Sequence, residues 1–307
     1  TLSVSSAASD VYKRQYLRSL PEIDATRHLL IVGGHSYDYR GISGQETVNY
    51  IPTYYRAVSV LRFAPTDNPF ADLDGDQRPE LAVGRWPVRT SQDLDKIVDK
   101  TLRWHELRDQ QPYQAALLLA QAVDNRNLDF AEQLQGRVAI PLGAMPEFDR
   151  VSLIDLNGLG SGAMTIQSVR DEVSERIRDG LGLLSFAGHA STAGWGYQGI
   201  VDTQFIQSLD NAHAPLIVMP LACYTTNYES ISVNTLAHQW LFAGTQGAVA
   251  IHGASVLGEY RENALFAERF LRTGTNVSTI GEAIMAAKQE MVETNSMLNN
   301  WILLGDP

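Results

Sequence analysis

The chain has one cysteine, Cys223, among its 307 residues. No disulfide can form within it, and that alone does not fix its compartment, because secreted bacterial domains often lack disulfides. Basic residues are the minority: 24 Lys and Arg against 35 Asp and Glu leave a formal net charge of -11. That balance argues against a nucleic-acid partner, which needs a basic patch to displace counterions. No apolar stretch approaches the roughly 18 to 20 residues that a membrane helix requires. The segment Thr1–Gln15 lacks the basic start and apolar middle of a signal peptide. Neither G-x-G-x-x-G nor G-x-x-x-x-G-K-[ST] follows an apolar run, which disfavours a nucleotide-binding protein. The glycine tract Gly158–Gly162 fits neither motif and reads as a loop. His28, His105, His213 and His238 show no metal-ligand spacing. There is no short fixed-period repeat and no low-complexity tract, and no organic cofactor is expected.

What is present is a large supply of core. With 44% apolar and 19% charged residues, the chain can bury one large or two small domains. Short apolar runs that read as buried strands are His28–Gly34, Glu80–Arg85, Ala115–Ala122, Arg150–Leu156, Gly182–Ala187, Pro215–Cys223 and Gly247–His252. Helical spacing lies between them, with Leu94, Ile97, Val98 and Leu102 marking a helix over Ser91–Leu107. Asp93, in the run T-S-Q-D, reads as part of a capping box for that helix. Strands alternating with helices predict an α/β fold, a parallel sheet covered on both faces. The Pro- and Gly-containing segment Arg137–Asp149 is a plausible seam. The expected division is a non-native or disordered leader over residues 1–15, a truncated N-terminal α/β subdomain over 16–140 and a catalytic subdomain over 141–307. The missing initial Met and the ending LLGDP read as those of a fragment.

Two of the runs end in chemically competent side chains. Gly182–Ala187 is followed by Gly188 and His189, and Pro215–Ala222 by Cys223. Ligands of open α/β sheets bind at the carboxyl ends of the strands, and a Cys with a His at one edge is the minimum for thiol nucleophilic catalysis. A free thiol titrates near ~8.5 and needs a base or a positive field to ionise at neutral pH. A second feature is the run Asp72-Leu-Asp74-Gly-Asp76, closed by Glu80. Alternating carboxylates on a tight loop can converge on one calcium ion through oxygen ligands. The plain alternative is a solvated acidic turn.

Five stretches in order resemble the gingipain-type cysteine peptidases, whose fold is caspase-like. They are Ala71–Val88 (ADLDGDQRPELAVGRWPV), Leu184–Trp195 (LSFAGHASTAGW), Pro215–Cys223 (PLIVMPLAC), Leu236–Ser255 (LAHQWLFAGTQGAVAIHGAS) and Trp301–Pro307 (WILLGDP). The resemblance implies a parallel-sheet three-layer sandwich of two subdomains. It implies Cys223 as nucleophile and His189 as general base, with the backbone N–H groups of Gly188 and Cys223 as an oxyanion hole. Glu80 becomes a candidate third member orienting the His, in competition with its role as a calcium ligand. Trp195, Ser255 and Tyr260 are candidate walls of the substrate pocket, and His252 a further lining residue. The function so implied is a cysteine endopeptidase that cleaves protein substrates through a thioacyl-enzyme, outside the cell or on the surface of a bacterium. The alternatives are a sortase or transpeptidase of the same family, which includes one serving type IX secretion, and a non-catalytic calcium-binding adhesion module. Structural Ca2+ on Asp72, Asp74 and Asp76 is the one cofactor expected.

Overall fold

Five of the seven apolar runs become strands of one mixed sheet, and the other two pair with each other apart from it. In a computed structural model, residues 15–20, 26–107, 114–124, 128–291 and 295–307 are described. The expected leader lies, but for Gln15, outside the described residues. Among these, β1 (His28–Val32), β2 (Tyr54–Arg56), β3 (Ala64–Thr66) and β4 (Ala82–Trp86) precede the Ser91–Leu107 helix. Then come β5 (Ala115–Ala120), β6 (Arg150–Asp155), β7 (Leu183–Ala187), β8 (Gly194–Trp195), β9 (Val201–Asp202), β10 (Leu216–Leu221), β11 (Ala248–Ala254) and β12 (Trp301–Leu304).

Six of these strands form the main sheet, in the order β12-β11-β10-β7-β5-β6. All its pairings are parallel except that of β11 with β12. Parallel neighbours need crossover helices, and the helical stretches between the runs supply them. Thus β5, from the first expected subdomain, lies between β6 and β7 of the second. β1 and β4 pair in parallel apart from this sheet, and Gly305 N–H donates to Arg85 O at 3.0 Å, joining β4 to the end of β12. The approach is close enough to require glycine: a Cβ on Gly84 would stand 2.2 Å from Gly305 O.

Side chains alternate across each strand, so both faces of the sheet become core. Leu117, Leu119, Leu184, Phe186 and Val218 join Ile97, Val173, Ile177 and Trp240 on one face. Ala116, Leu118, Ala120, Met219 and Leu221 join Phe130, Phe266, Leu271 and Ile284 on the other. The result is helix, sheet, helix: the expected three-layer sandwich. Burying each large aliphatic side chain contributes roughly 1.5–3 kcal/mol. Helix starts are capped as the local sequence allows. Asp93 Oδ2 accepts the N–H groups of Arg89 and Thr90 at 3.0 and 3.1 Å, and Thr90 Oγ1 accepts the Asp93 N–H in return.

Two local readings differ. Gly158–Gly162 is not wholly a loop, because Asn157–Ser161 forms a helical turn that ends at Gly162 in the left-handed region, φ 75°. Val201–Leu209, which reads as helical from the sequence, opens instead with β9 before a short Thr203–Gln207 helix, where Asp202 caps by accepting the Phe205 N–H.

The segment around β1 to β4 is held by one buried ion pair. Arg85 is fully buried. It donates to both carboxylate oxygens of Asp67 at 2.7 Å, and to Gly33 O and Ile51 O at 2.6 and 2.9 Å. A bidentate pair with its remaining donors satisfied is the geometry in which a buried guanidinium is tolerated.

Candidate active site

The register of β7 against β10 determines which residues meet at the sheet edge. Leu221 pairs with Ala187, so Cys223 and His189 each stand two residues beyond a paired position on neighbouring parallel strands. Strands in a sheet are about 4.8 Å apart, which brings both to one stretch of the carboxyl edge. β5 lies on the other side of β7, with Ala120 opposite Ala187, and its extension carries Asp124.

Asp124 is the residue that the sequence reading missed. Its side chain is 2% exposed, and its Oδ2 lies 3.1 Å from His189 Nε2. With Nε2–H donating to that carboxylate, Nδ1 is left as the basic nitrogen of the imidazole. Three adjacent strands, β5, β7 and β10, therefore deliver carboxylate, imidazole and thiol in that spatial order. The signal was present: Ala115–Ala122 is a third apolar run, and a titratable residue follows it at the same edge.

The imidazole is also held by rings. Phe130 meets it edge-on at 5.8 Å between centroids, and Tyr197 lies 5.0 Å away at 30°. Gly188, before it, has φ 157°, and a Cβ there would stand 2.5 Å from Gln121 Cβ. Only glycine fits that approach.

Cys223 is half-buried, and its Sγ accepts the Gly258 N–H at 3.5 Å and lies 3.7 Å from Gly258 O. Burial pushes the thiol pKa up, against the lowering effect of the Gly258 hydrogen bond. Burial thus disfavours the thiolate, the form in which a cysteine is nucleophilic. The next residue, Tyr224, sits in the left-handed region at φ 57°, unusual for a side chain of its size, and its N–H donates to Val256 O at 3.0 Å. Backbone strain of this kind concentrates at functional sites.

Glu80 lies elsewhere. Its carboxylate accepts the Leu73 N–H and stands with Asp72 and Asp74, their oxygens within 4.8 Å of one another. Burial, with the three neighbouring aspartates, holds the Glu80 carboxyl above its usual range despite the Leu73 bond. The carboxylate beside His189 is that of Asp124, while Glu80 stands with the acidic loop. Three carboxylates of like charge at this spacing fit a hard divalent cation. Asp72, Asp74 and Asp76 each accept a backbone N–H of the loop, at 2.7, 2.9 and 2.7 Å, and the converging set contains Glu80 where the sequence suggested Asp76.

The expected pocket residues separate. Trp195 is fully buried, stacked on Phe186 at 5.2 Å and beside Trp240 at 6.1 Å. It supports the site from the core and offers no wall. Ser255 is also fully buried and donates to Pro65 O at 3.0 Å, so its hydroxyl is turned inward. His252 packs among Phe266, Phe270 and Trp301 with Nδ1 3.0 Å from Ile302 O. Burial pushes its pKa down to about 3, and it belongs to the core. Tyr260 is the one beside open space. It meets Phe130 edge-on at 4.8 Å and, with Asp129, Glu132, Arg137 and Arg261, lines a cavity of about 550 Å³. Phe130 connects that cavity to His189.

The fold is shared with known structures. The crystal structure of the Arg-specific cysteine proteinase gingipain R (RgpB) superimposes with a TM-score of 0.75 at 16% identity, over 99% of this chain and 69% of that one. A complex of Porphyromonas gingivalis RgpB pro- and mature domains gives 0.76 at 17% identity, over 99% and 70%. A third structure, described only as a protease, gives 0.71 at 14% identity, over 98% and 68%. At such identities the likeness is one of fold. None of the curated proteins matches the chain. The sequence model of Peptidase family C25 matches residues 5–307, and on that match, which takes in the site just described, the chain belongs to peptidase family C25, a family of cysteine peptidases.

Proposed function

We propose that the protein is a cysteine endopeptidase in which Cys223 is the nucleophile, His189 the general base and Asp124 the group that orients the imidazole. The observation that carries this reading is the delivery of all three by adjacent strand ends, with Asp124 and His189 already 3.1 Å apart. His189 Nδ1 takes the thiol proton, and the thiolate attacks the scissile carbonyl carbon. The backbone N–H groups of Gly188 and Cys223 stabilise the oxyanion. The imidazolium then protonates the leaving amine, and the C–N bond breaks. Water, deprotonated by His189, hydrolyses the thioester and frees the thiol. An amine in place of water at the last step gives transpeptidation, so a sortase differs only in its acceptor.

The same reading places the protein outside the cell or at the cell surface, on the family's character. No helix among the described residues is long and apolar enough to cross a membrane. Asp72, Asp74 and Glu80 are proposed to hold a structural Ca2+, supported by their converging oxygens. The substrate side chain is proposed to enter the cavity beside Tyr260.

The test is peptide-library cleavage read by mass spectrometry, with reductant and calcium, against Cys223→Ala, a calcium-free sample and an added amine acceptor. Cleavage that disappears in a folded Cys223→Ala supports the thiol mechanism and reveals the preferred residue at the cut. Amine-capped products identify a transpeptidase. No cleavage by folded wild type refutes the endopeptidase reading and leaves a calcium-binding adhesion module.

A further inference from the structure

Gln121 follows β5 one residue beyond the Ala120–Ala187 pairing. Its main-chain N–H donates to Ala187 O at 2.9 Å, and its side-chain Oε1 accepts the His189 N–H at 2.8 Å. One residue thus bonds the backbone on both sides of Gly188. The side chain also lies against Gly188 itself, where a Cβ would meet Gln121 Cβ at 2.5 Å and Oε1 at 2.8 Å. Gln121 is 5% exposed. A carboxamide buried to that degree is costly unless it is hydrogen-bonded, and an apolar residue would fill the space without that cost.

We infer that Gln121 is a positioning residue for His189, fixing its main chain while Asp124, three residues on, fixes its ring. The ring contact alone leaves the imidazole free to pivot about its backbone. The two contacts together, from one strand extension, define both ends of the side chain. The Gln121 N–H bond to Ala187 O also holds the Ala187–Gly188 peptide, whose N–H is one of the proposed oxyanion donors. The inference deepens the proposed thiol mechanism and rests on it.

The test compares Gln121→Leu, which fills the same space without an acceptor, with Gln121→Glu, which keeps one. Gln121→Met, unbranched and also without an acceptor, is the second variant should Leu not fold. Three quantities are read: kcat and KM on a peptide found to be cleaved, the pH dependence of Cys223 alkylation, and hydrogen exchange of the His189 amide. In the acceptor-free variants kcat falls roughly 10- to 100-fold with KM unchanged, the scale expected when a catalytic group shifts by about 1 Å. The alkylation limb moves to higher pH, and the His189 amide exchanges faster. Gln121→Glu restores most of kcat and the amide protection. A purely structural role would lower thermal stability and leave the pH limb and the split between kcat and KM as in wild type. Folded acceptor-free variants with wild-type kcat and alkylation profile overturn the inference. If wild type cleaves nothing and its alkylation ignores His189→Ala, the proposed function fails instead. The exchange measurement still decides the positioning, since unchanged protection in Gln121→Leu overturns it and lost protection supports it.

Discussion

Replacing Asp124 by Asn separates the two carboxylates that compete for the role of orienter. The substitution preserves shape, so the rings of Phe130 and Tyr197 still hold the imidazole. What is lost is the negative charge and the certainty that Nε2 carries the proton, since an amide can face the ring with either its oxygen or its NH2. The Asp124 side chain is 2% exposed, so little water is present to replace it. A hydrogen bond to a charged group contributes about 1.5–3 kcal/mol net. At 1.36 kcal/mol per decade, that is a loss of roughly 10- to 150-fold in kcat/KM. Most of it should fall on kcat, because the imidazolium forms only after the thiol is deprotonated. The assay is steady-state cleavage of a library-derived peptide, with and without calcium, alongside the pH profile of Cys223 alkylation. Glu80→Gln is the paired control. With calcium saturating, it should keep kcat/KM within a fewfold of wild type, because Glu80 lies with Asp72 and Asp74. A folded Asp124→Asn that matches wild type, while Glu80→Gln loses activity, would refute the assignment and return the role to Glu80.

The acidic loop and a buried glutamate give two further expectations. If Asp72, Asp74 and Glu80 bind Ca2+ with the affinity of extracellular modules, Kd ~10⁻⁴–10⁻³ M, then about 10 mM calcium stabilises the fold by roughly 1.4–2.7 kcal/mol. Thermal unfolding with and without calcium should show the shift in wild type and none in Asp74→Asn; equal shifts in both would exclude the loop as the site. Glu229, which accepts the Tyr55 hydroxyl, has its carboxyl pushed up to about 7 by burial. An acid raised in the folded state contributes stability that is full below its unfolded value and is lost as pH rises through the folded one. Between pH 4.5 and 8 its contribution should therefore fall by about 3 kcal/mol, at 1.36 kcal/mol per unit. Urea unfolding across that range should show a shallower decline in Glu229→Gln, and an unchanged slope would contradict the assignment.

What was legible in the sequence is what is written locally. A strand buried on both faces shows itself as a continuous apolar run, and the seven runs contain β1, β5, β6, β7, most or all of β4, β10 and β11. The Ser91–Leu107 helix matches its reading because a 3.6-residue pattern and an adjacent cap carry their own boundaries. Cys223 and His189 could be singled out because each closes such a run, His189 after a single glycine. Asp124 follows one too, with Val123 between, but no motif marks it, and Glu80 drew attention through its acidic loop instead. Aromatic and polar residues near the motif, Trp195, Ser255 and His252, looked like pocket walls because burial is not written beside a residue. It depends on what the rest of the chain places there.

By itself, then, the sequence determined a parallel α/β sheet and two of its edge chemistries, a thiol and an imidazole, because apolar period and strand termination are properties of a few consecutive residues. Only the tertiary structure decided that β5 neighbours β7 and so puts Asp124 on His189, that Glu80 joins Asp72 and Asp74, and that Gln121 brackets Gly188. Strand order and register are settled by packing across the whole sheet, and residues far apart in the chain meet only once that packing is complete.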